Sequence, residues 1–269
     1  MHINVNKLIK HGRAVFLAYD QGLEHGPRDL NGTNVDPKYI FDIALDGMYD
    51  AVIVQSGLAE KYYYSYYRDI PLVVKLNGKT RLTDNMPFSP TTCSVDRAVK
   101  LGAAAVGYTI YPGSPMEPQM FSEFAKIVEQ AHDYGLPVMT WLYPRGPKIA
   151  NELDTDITAY SARIGLELGA DILKLKYNHD VEGLKWVVKC AGRAKVMISG
   201  GDKTDEHEFL KTATDVMKTG AAGIAVGRNI WQHDRPLALS KALRMIVHHN
   251  MSIDDALKLL EEESHKNGK

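Results

Sequence analysis

Eight short apolar runs recur along the chain, each followed by polar or glycine-rich residues and then, in most cases, by a helical pattern. They are Ala14 to Ala18, Ala51 to Gln55, Leu72 to Leu76, Ala104 to Ile110, Pro137 to Tyr143, Asp171 to Lys176, Lys195 to Ser199 and Gly223 to Gly227. Short buried runs alternating with helices read as βα units, and eight such units close a (β/α)₈ barrel. The spacing is uneven only at Asn77 to Cys93, where a long polar loop with Pro87 and Pro90 replaces an expected helix start. An internal echo supports the repeat. Lys100-Leu101-Gly102, Glu167-Leu168-Gly169 and Lys218-Thr219-Gly220 each lead into a strand and read as helix ends with a C′ glycine.

Helical spacing of Phe121, Phe124, Ala125 and Val128, and of Leu184, Val187 and Val188, predicts amphipathic helices between the strands. Ser252 to Lys266 predicts a further C-terminal helix, capped by Ser252 and acidic in its first turn. With no linker or low-complexity boundary, the expectation is an α/β TIM barrel forming a single catalytic domain over residues 1–269, with that extra helix outside the eight units.

Composition narrows the function without naming it. At 269 residues and 45% apolar content the chain can fill a large core, and its formal net charge of -1 supplies no basic field for nucleic acid or an anionic membrane. Cys93 and Cys190 do not suggest a disulfide framework. No apolar run approaches the roughly 18 residues of a membrane span. Met1 to His11 has scattered lysines but no continuous apolar segment of a secretory signal, so a cytoplasmic location is expected.

The sixth run carries the chemistry. In Ile172-Leu173-Lys174-Leu175-Lys176-Tyr177, leucines alternate with lysines, so in a strand both ammonium groups would share one face, one pleat apart. A buried lysine is costly unless paired or neutralised, and neutralising it makes an amine nucleophile. At its ordinary pKa of about 10.4 a lysine is free amine roughly once in 2,500 molecules at pH 7. A Schiff-base lysine therefore needs a lowered pKa, and both burial and the like charge of Lys176 are expected to lower it.

Chemistry in such barrels gathers at the C-terminal strand ends. There the sequence offers Asp20, Gln21 and His25 after run one, Trp141, Tyr143 and Arg145 at run five, Ser199-Gly200-Gly201 at run seven, and Gly227-Arg228 at run eight. Singly, each has a plainer explanation. The lysines could be ion-pair partners of Asp20 or another carboxylate, Trp141 and Tyr143 could fill a barrel layer, and His25 could be a turn residue. The tyrosines from Tyr62 to Tyr67 read as packing or a subunit contact, and His248 and His249 as a solvated helix face. Five polar strand ends together make a site. Backbone N–H groups at the glycines of runs seven and eight can converge on a phosphate, with Arg228 adding a charge-assisted hydrogen bond, so a phosphorylated small molecule is implied.

Several longer strings carry a resemblance. Leu17 to Pro27, Lys75 to Thr80, Gly107 to Ser114, Tyr143 to Gly146 and Ala225 to Gln232 are similar to the archaeal-type class I fructose-1,6-bisphosphate aldolases, over about Ala14 to Gln232. The resemblance implies that Lys174 forms the Schiff base, that Tyr143 donates and accepts the proton and that Asp20 assists. From the strand ends themselves, Gln21, His25, Trp141, Arg145, Lys176, Ser199, Gly200, Gly201, Gly227 and Arg228 are candidate substrate or phosphate contacts, and a second phosphate would fall to Arg145, helped by His25 and Lys148. The resemblance also implies no metal or other cofactor, a phosphorylated sugar as the partner, and a homo-oligomer, commonly a decamer of stacked pentamers. Where many members carry His after the strand-one Asp, this chain has Gln21, which can hydrogen-bond a hydroxyl but cannot shuttle a proton.

Related barrels with the same lysine include a synthase that joins a keto-sugar phosphate to aspartate semialdehyde in aromatic precursor formation. A metal-dependent aldolase would need clustered histidines, and of ten histidines only His25 and His179 fall near strand ends. A non-catalytic phosphosugar-binding barrel would leave Lys174, Tyr143 and Asp20 without a role.

Overall fold

A computed structural model describes residues 3–82 and 86–266 of the chain, so the middle of the polar loop predicted at Asn77 to Cys93, residues 83–85, lies outside the described residues. Among these residues eight parallel strands pair in sequence order: β1 (Ala14–Ala18), β2 (Ala51–Gln55), β3 (Leu72–Lys75), β4 (Ala105–Ile110), β5 (Val138–Leu142), β6 (Ile172–Leu175), β7 (Lys195–Ser199) and β8 (Gly223–Val226). β8 pairs back onto β1 through Leu17 opposite Val226, closing the barrel. Every strand falls on its predicted run to within one residue at either end. Parallel strands buried on both faces read as near-continuous apolar runs, which is why these eight were visible.

Alternation along each strand separates two cores. Ala14, Phe16, Ala18, Ile53, Val73, Met139, Trp141, Ile172 and Met197 fill the barrel interior, joined by Leu8 and Ile9 from the segment before β1. Val15, Leu17, Val52, Val54, Val74, Leu173 and Ile198 face the surrounding helices instead. Because side chains alternate with period two, the next inward positions above Val73, Ile172 and Met197 are Lys75, Lys174 and Ser199. All three stand at C-terminal strand ends.

The connecting helices end as expected. Gly102, Gly169 and Gly220 have positive φ of 80, 87 and 86°, the left-handed C′ geometry that the echo predicted. In the helix Glu117–Asp133 the buried stripe is Met120, Phe124, Ile127 and Ala131, with Phe121 and Val128 at its edge and Ala125 exposed. Helical periodicity admits neighbouring stripes about 100° apart, and the packing selects the one that includes Met120. The helix Ile253–Lys266 is capped by Ser252, whose Oγ accepts from the Asp255 amide at 3.2 Å and donates to its carboxylate at 2.7 Å.

One surface expectation changes, and the packing expected of the tyrosine cluster holds for its buried members. His248 is not solvated: its Nε2 lies 2.9 Å from Oδ2 of the buried Asp50, which also accepts from the Val15 amide at 2.9 Å. His249 is exposed. In the tyrosine cluster Tyr63 and Tyr66 are buried against Phe41, whereas Tyr64 and Tyr67 face outward. Both cysteines are free thiols, and among the described residues no helix is long and apolar enough to cross a membrane.

Candidate active site

A cavity of about 620 Å³ opens at the C-terminal mouth of the barrel, a size suited to a small-molecule ligand. All of the residues predicted from the strand ends line it: Asp20, Gln21 and His25; Trp141, Tyr143 and Arg145; Lys174 and Lys176; Ser199, Gly200 and Gly201; and Gly227 and Arg228. Lys148 stands outside that lining. Elements distant in sequence meet here because consecutive parallel strands all end on the same face.

Lys174 lies at the floor, 5% exposed, opposite Trp141 in the β5–β6 register. Its Nζ sits 5.1 Å from the centre of the Trp141 indole. Burial pushes its pKa below the ordinary lysine value, with the Asp20 carboxylate opposing the shift. That direction favours the free amine.

A second lysine shares the floor, and sequence reasoning gave it no role. Lys75, the last residue of β3, is also 5% exposed, and its Nζ is 4.9 Å from the same indole centre and 3.9 Å from Asp20 Oδ2. It donates to the Asn77 carbonyl at 3.3 Å. Asn77 is itself clamped, donating to the Ser89 and Thr109 carbonyls and accepting from the Thr109 amide. Burial pushes Lys75 down to about 8, with Asp20 and Glu24 opposing and the charge of Lys174 adding to the fall. The available signal was a lysine closing an otherwise apolar strand, Leu72-Val73-Val74-Lys75.

Lys176 departs from expectation. β6 ends at Leu175, so Lys176 leaves the pleat; it is about one-third exposed, ion-paired with Glu152, and its Nζ lies 5.6 Å from the Tyr143 ring centre. The groups acting on Lys174 are its own burial and Asp20, and Lys176 is not among them. A carboxylate at its side and solvent at its rim reduce its reach. Like-charge pressure on the floor falls on Lys75, from Lys174 across the barrel.

Tyr143 follows β5 directly and is held by its amide donating to the Ile110 carbonyl at 3.1 Å. Burial raises its phenol well above the usual range, helped by the Asp20 charge. Gln21 has a buried amide nitrogen without a hydrogen-bond partner, a donor free for a ligand oxygen. His25 is fixed between two partners, with Nδ1 2.6 Å from Asp29 and Nε2 3.2 Å from an Arg81 nitrogen. Arginine can only donate, so Nε2 accepts and Nδ1–H donates to Asp29.

Two cationic regions border the cavity. On the β7–β8 side, Ser199, Gly200, Gly201 and Gly227 present backbone beside Arg228, whose Nη2 is 2.7 Å from Asp202. Gly200 lies close to β8 there: a Cβ would stand 3.0 Å from Val226 Cγ2 and 3.1 Å from its Cα, so a side chain would fit only if β8 gave way by a few tenths of an ångström. On the other side Arg145 lies 5.3 Å from the Tyr111 ring centre and 3.6 Å from Glu152. Lys79, 5.4 Å from the same ring, and Arg81 reach in from the loop after β3. Neither was singled out from sequence, since that loop carried no periodic pattern to place it.

The model of the DeoC/LacD family of aldolases matches residues 14–233, which spans all eight strands. The chain belongs to that family. It is 48% identical over 253 residues to the class 1 fructose-bisphosphate aldolase of Thermoproteus tenax, covering 93% of this chain and 95% of that protein. It is 35% identical over 254 residues to a 2-amino-3,7-dideoxy-D-threo-hept-6-ulosonate synthase of Archaeoglobus fulgidus, covering 94% and 93%. A solved archaeal fructose-1,6-bisphosphate aldolase, with its catalytic lysine covalently bound to the carbinolamine intermediate of the substrate, superposes with a TM-score of 0.86 at 48% identity. It covers 91% of this chain and 96% of that one.

Proposed function

We propose that this family member is a Schiff-base-forming aldolase that reversibly cleaves fructose 1,6-bisphosphate to dihydroxyacetone phosphate and glyceraldehyde 3-phosphate. The observation that carries the reading is the buried, depressed Lys174 on the cavity floor, flanked by Tyr143 and Asp20. The high identity to class 1 fructose-bisphosphate aldolase supports it over the synthase.

In this reading the Lys174 amine attacks the C2 carbonyl, and the carbinolamine loses water to give a protonated imine. The C4 hydroxyl gives up its proton, the C3–C4 pair flows into the imine, and glyceraldehyde 3-phosphate departs. Protonation of the resulting enamine at C3 and hydrolysis release dihydroxyacetone phosphate and restore the amine. Tyr143 rests as a phenol, given its raised pKa. It therefore donates readily in the condensing direction, and in cleavage it takes the C4 hydroxyl proton as its own proton passes to the Asp20 carboxylate, which returns it when the enamine is protonated.

The β7–β8 glycines and Arg228 hold the phosphate at carbon 1, and Arg145 with Lys79 and Arg81 hold the phosphate at carbon 6. Gln21 contacts sugar oxygens between them through its unpartnered amide nitrogen, His25 holds Arg81 at the mouth, and Lys176 borders the same channel. The reading carries with it a cytoplasmic homo-oligomer, decameric by resemblance, working in glycolysis or gluconeogenesis, which size-exclusion chromatography and cell fractionation test.

The deciding assay offers purified protein fructose 1,6-bisphosphate without added metal. Cleavage with a clear preference over fructose 1-phosphate is expected. Inertness toward the bisphosphate, with condensation of a keto-sugar phosphate and aspartate semialdehyde, would establish the synthase instead.

A further inference from the structure

We infer that Lys75 is a positioning residue that keeps the proton of a buried lysine pair, so that Lys174 stands as the free amine. The inference rests on Lys174 as the imine lysine, and it explains how one lysine of two is selected.

Charge balance in a small volume makes the selection. Lys75 and Lys174 are equally buried, flank one indole at 4.9 and 5.1 Å, and share a single nearby carboxylate, Asp20. Two ammonium groups against one carboxylate leave a buried surplus positive charge, which a low-dielectric site expels as a proton. The group that loses it is the one with fewer partners. Lys75 has Asp20 Oδ2 at 3.9 Å and the Asn77 carbonyl at 3.3 Å. Among the described residues Lys174 makes no hydrogen bond or ion pair through its ammonium group; the indole faces it, and Asp20 acts on it through charge alone. The proton therefore stays on Lys75, and Asp20 is held by Lys75 rather than by the nucleophile.

Other charged groups do not reverse the choice. Glu24, from the short helix Gly22–His25, acts on Lys75 and so favours its charged form. Tyr143, facing from the end of β5, is a neutral phenol, and Lys176 on the end of β6 is engaged by Glu152, which Arg145 also approaches. Burial lowers both lysines, and the charge of Lys174 adds to the fall of Lys75.

The test is the pH dependence of imine formation with dihydroxyacetone phosphate, trapped by cyanoborohydride and mapped by peptide mass, in wild type, Lys75→Met and Lys75→Arg. Lys75→Met removes a like charge and frees Asp20 to pair with Lys174, so both effects raise the Lys174 pKa. Its acid limb should move to higher pH by about one unit or more, with the adduct still on Lys174. Lys75→Arg, which keeps the charge, should leave the limb close to wild type. An unmoved limb in Lys75→Met, or the same shift in both variants, would overturn the role of Lys75 while leaving the imine assignment intact. A wild-type adduct on another lysine would overturn both.

A second measurement does not depend on Lys75 variants folding. With Lys174 already neutral when Lys75 titrates, Lys174→Met should leave the Lys75 step close to wild type, as read from the titration of ¹³C-labelled lysine by NMR. A marked rise there would mean that Lys174 holds the proton and would overturn the inference.

Discussion

Gly107 on β4 and Trp141 on β5 are in such close approach that a Cβ at Gly107 would stand 2.4 Å from Cζ3 and 2.6 Å from Cη2 of the indole. Gly107 is also the β4 partner of Lys75, whose Cδ would be 3.5 Å from that Cβ. The missing side chain thus makes the space in which one indole lies between two lysines. Gly107→Ala should push Trp141 aside and disturb both ammonium positions. Overpacking of this kind costs about 1–3 kcal/mol, so we expect a lower melting temperature, altered tryptophan fluorescence and at least a tenfold loss of cleavage. Wild-type activity in this variant would mean that the indole does not position the lysines.

Tyr143→Phe retains the ring beneath Lys176 and Arg145 but removes the hydroxyl. Loss of one general acid–base group lowers rates by roughly 10²- to 10⁴-fold. Cleavage should fall in that range while imine trapping falls much less, because the phenol acts on the C4 hydroxyl. Intact cleavage would transfer the proton role to Asp20 or water.

The two cationic borders should separate in substrate kinetics. Arg228→Ala is expected to raise KM for phosphorylated substrates far more than for phosphate-free analogues. Arg145→Ala and Lys79→Ala should chiefly erode the preference for the bisphosphate over fructose 1-phosphate. If all three variants lose both substrates equally, these side chains are structural rather than phosphate ligands.

Away from the cavity, Asp50 joins β1 to the helix Pro236–His249, and its chemistry sets a pH dependence of stability. Burial alone would raise its pKa, but hydrogen bonds from His248 and the Val15 amide, with the charge of Arg244, outweigh that and hold it below the ordinary value. A carboxylate depressed by folding stabilises fully above its unfolded pKa of about 3.9 and loses that contribution as pH falls through the lower folded value. Breaking such a buried network costs about 3–5 kcal/mol. Asp50→Asn should therefore melt well below wild type at pH 6, and the gap should close below pH 4. A gap that is constant with pH would assign the effect to shape alone.

Much of the fold was legible because its strands are buried on both faces: Ala14–Ala18 and Lys195–Ser199 coincide with their predicted runs. The cavity residues were legible for a related reason, since polar side chains ending apolar strands have no other place to go in a barrel. What the sequence concealed depends on packing across the barrel. Lys75 and Lys174 are distant in the chain, and only closure brings both onto Trp141. Lys176 looked equivalent to Lys174, but the strand stops one residue short of it. Likewise His248 looked solvated because Asp50, its partner across the barrel base, is far away in sequence.

The most direct measurement is borohydride reduction of the protein with dihydroxyacetone phosphate, followed by peptide mapping of wild type and Lys174→Met. We expect one covalent adduct on Lys174 in the wild type, and in Lys174→Met a folded protein with neither adduct nor cleavage. An adduct on Lys75 or Lys176, with Lys174→Met still cleaving fructose 1,6-bisphosphate, would contradict the assignment of Lys174 as the nucleophile.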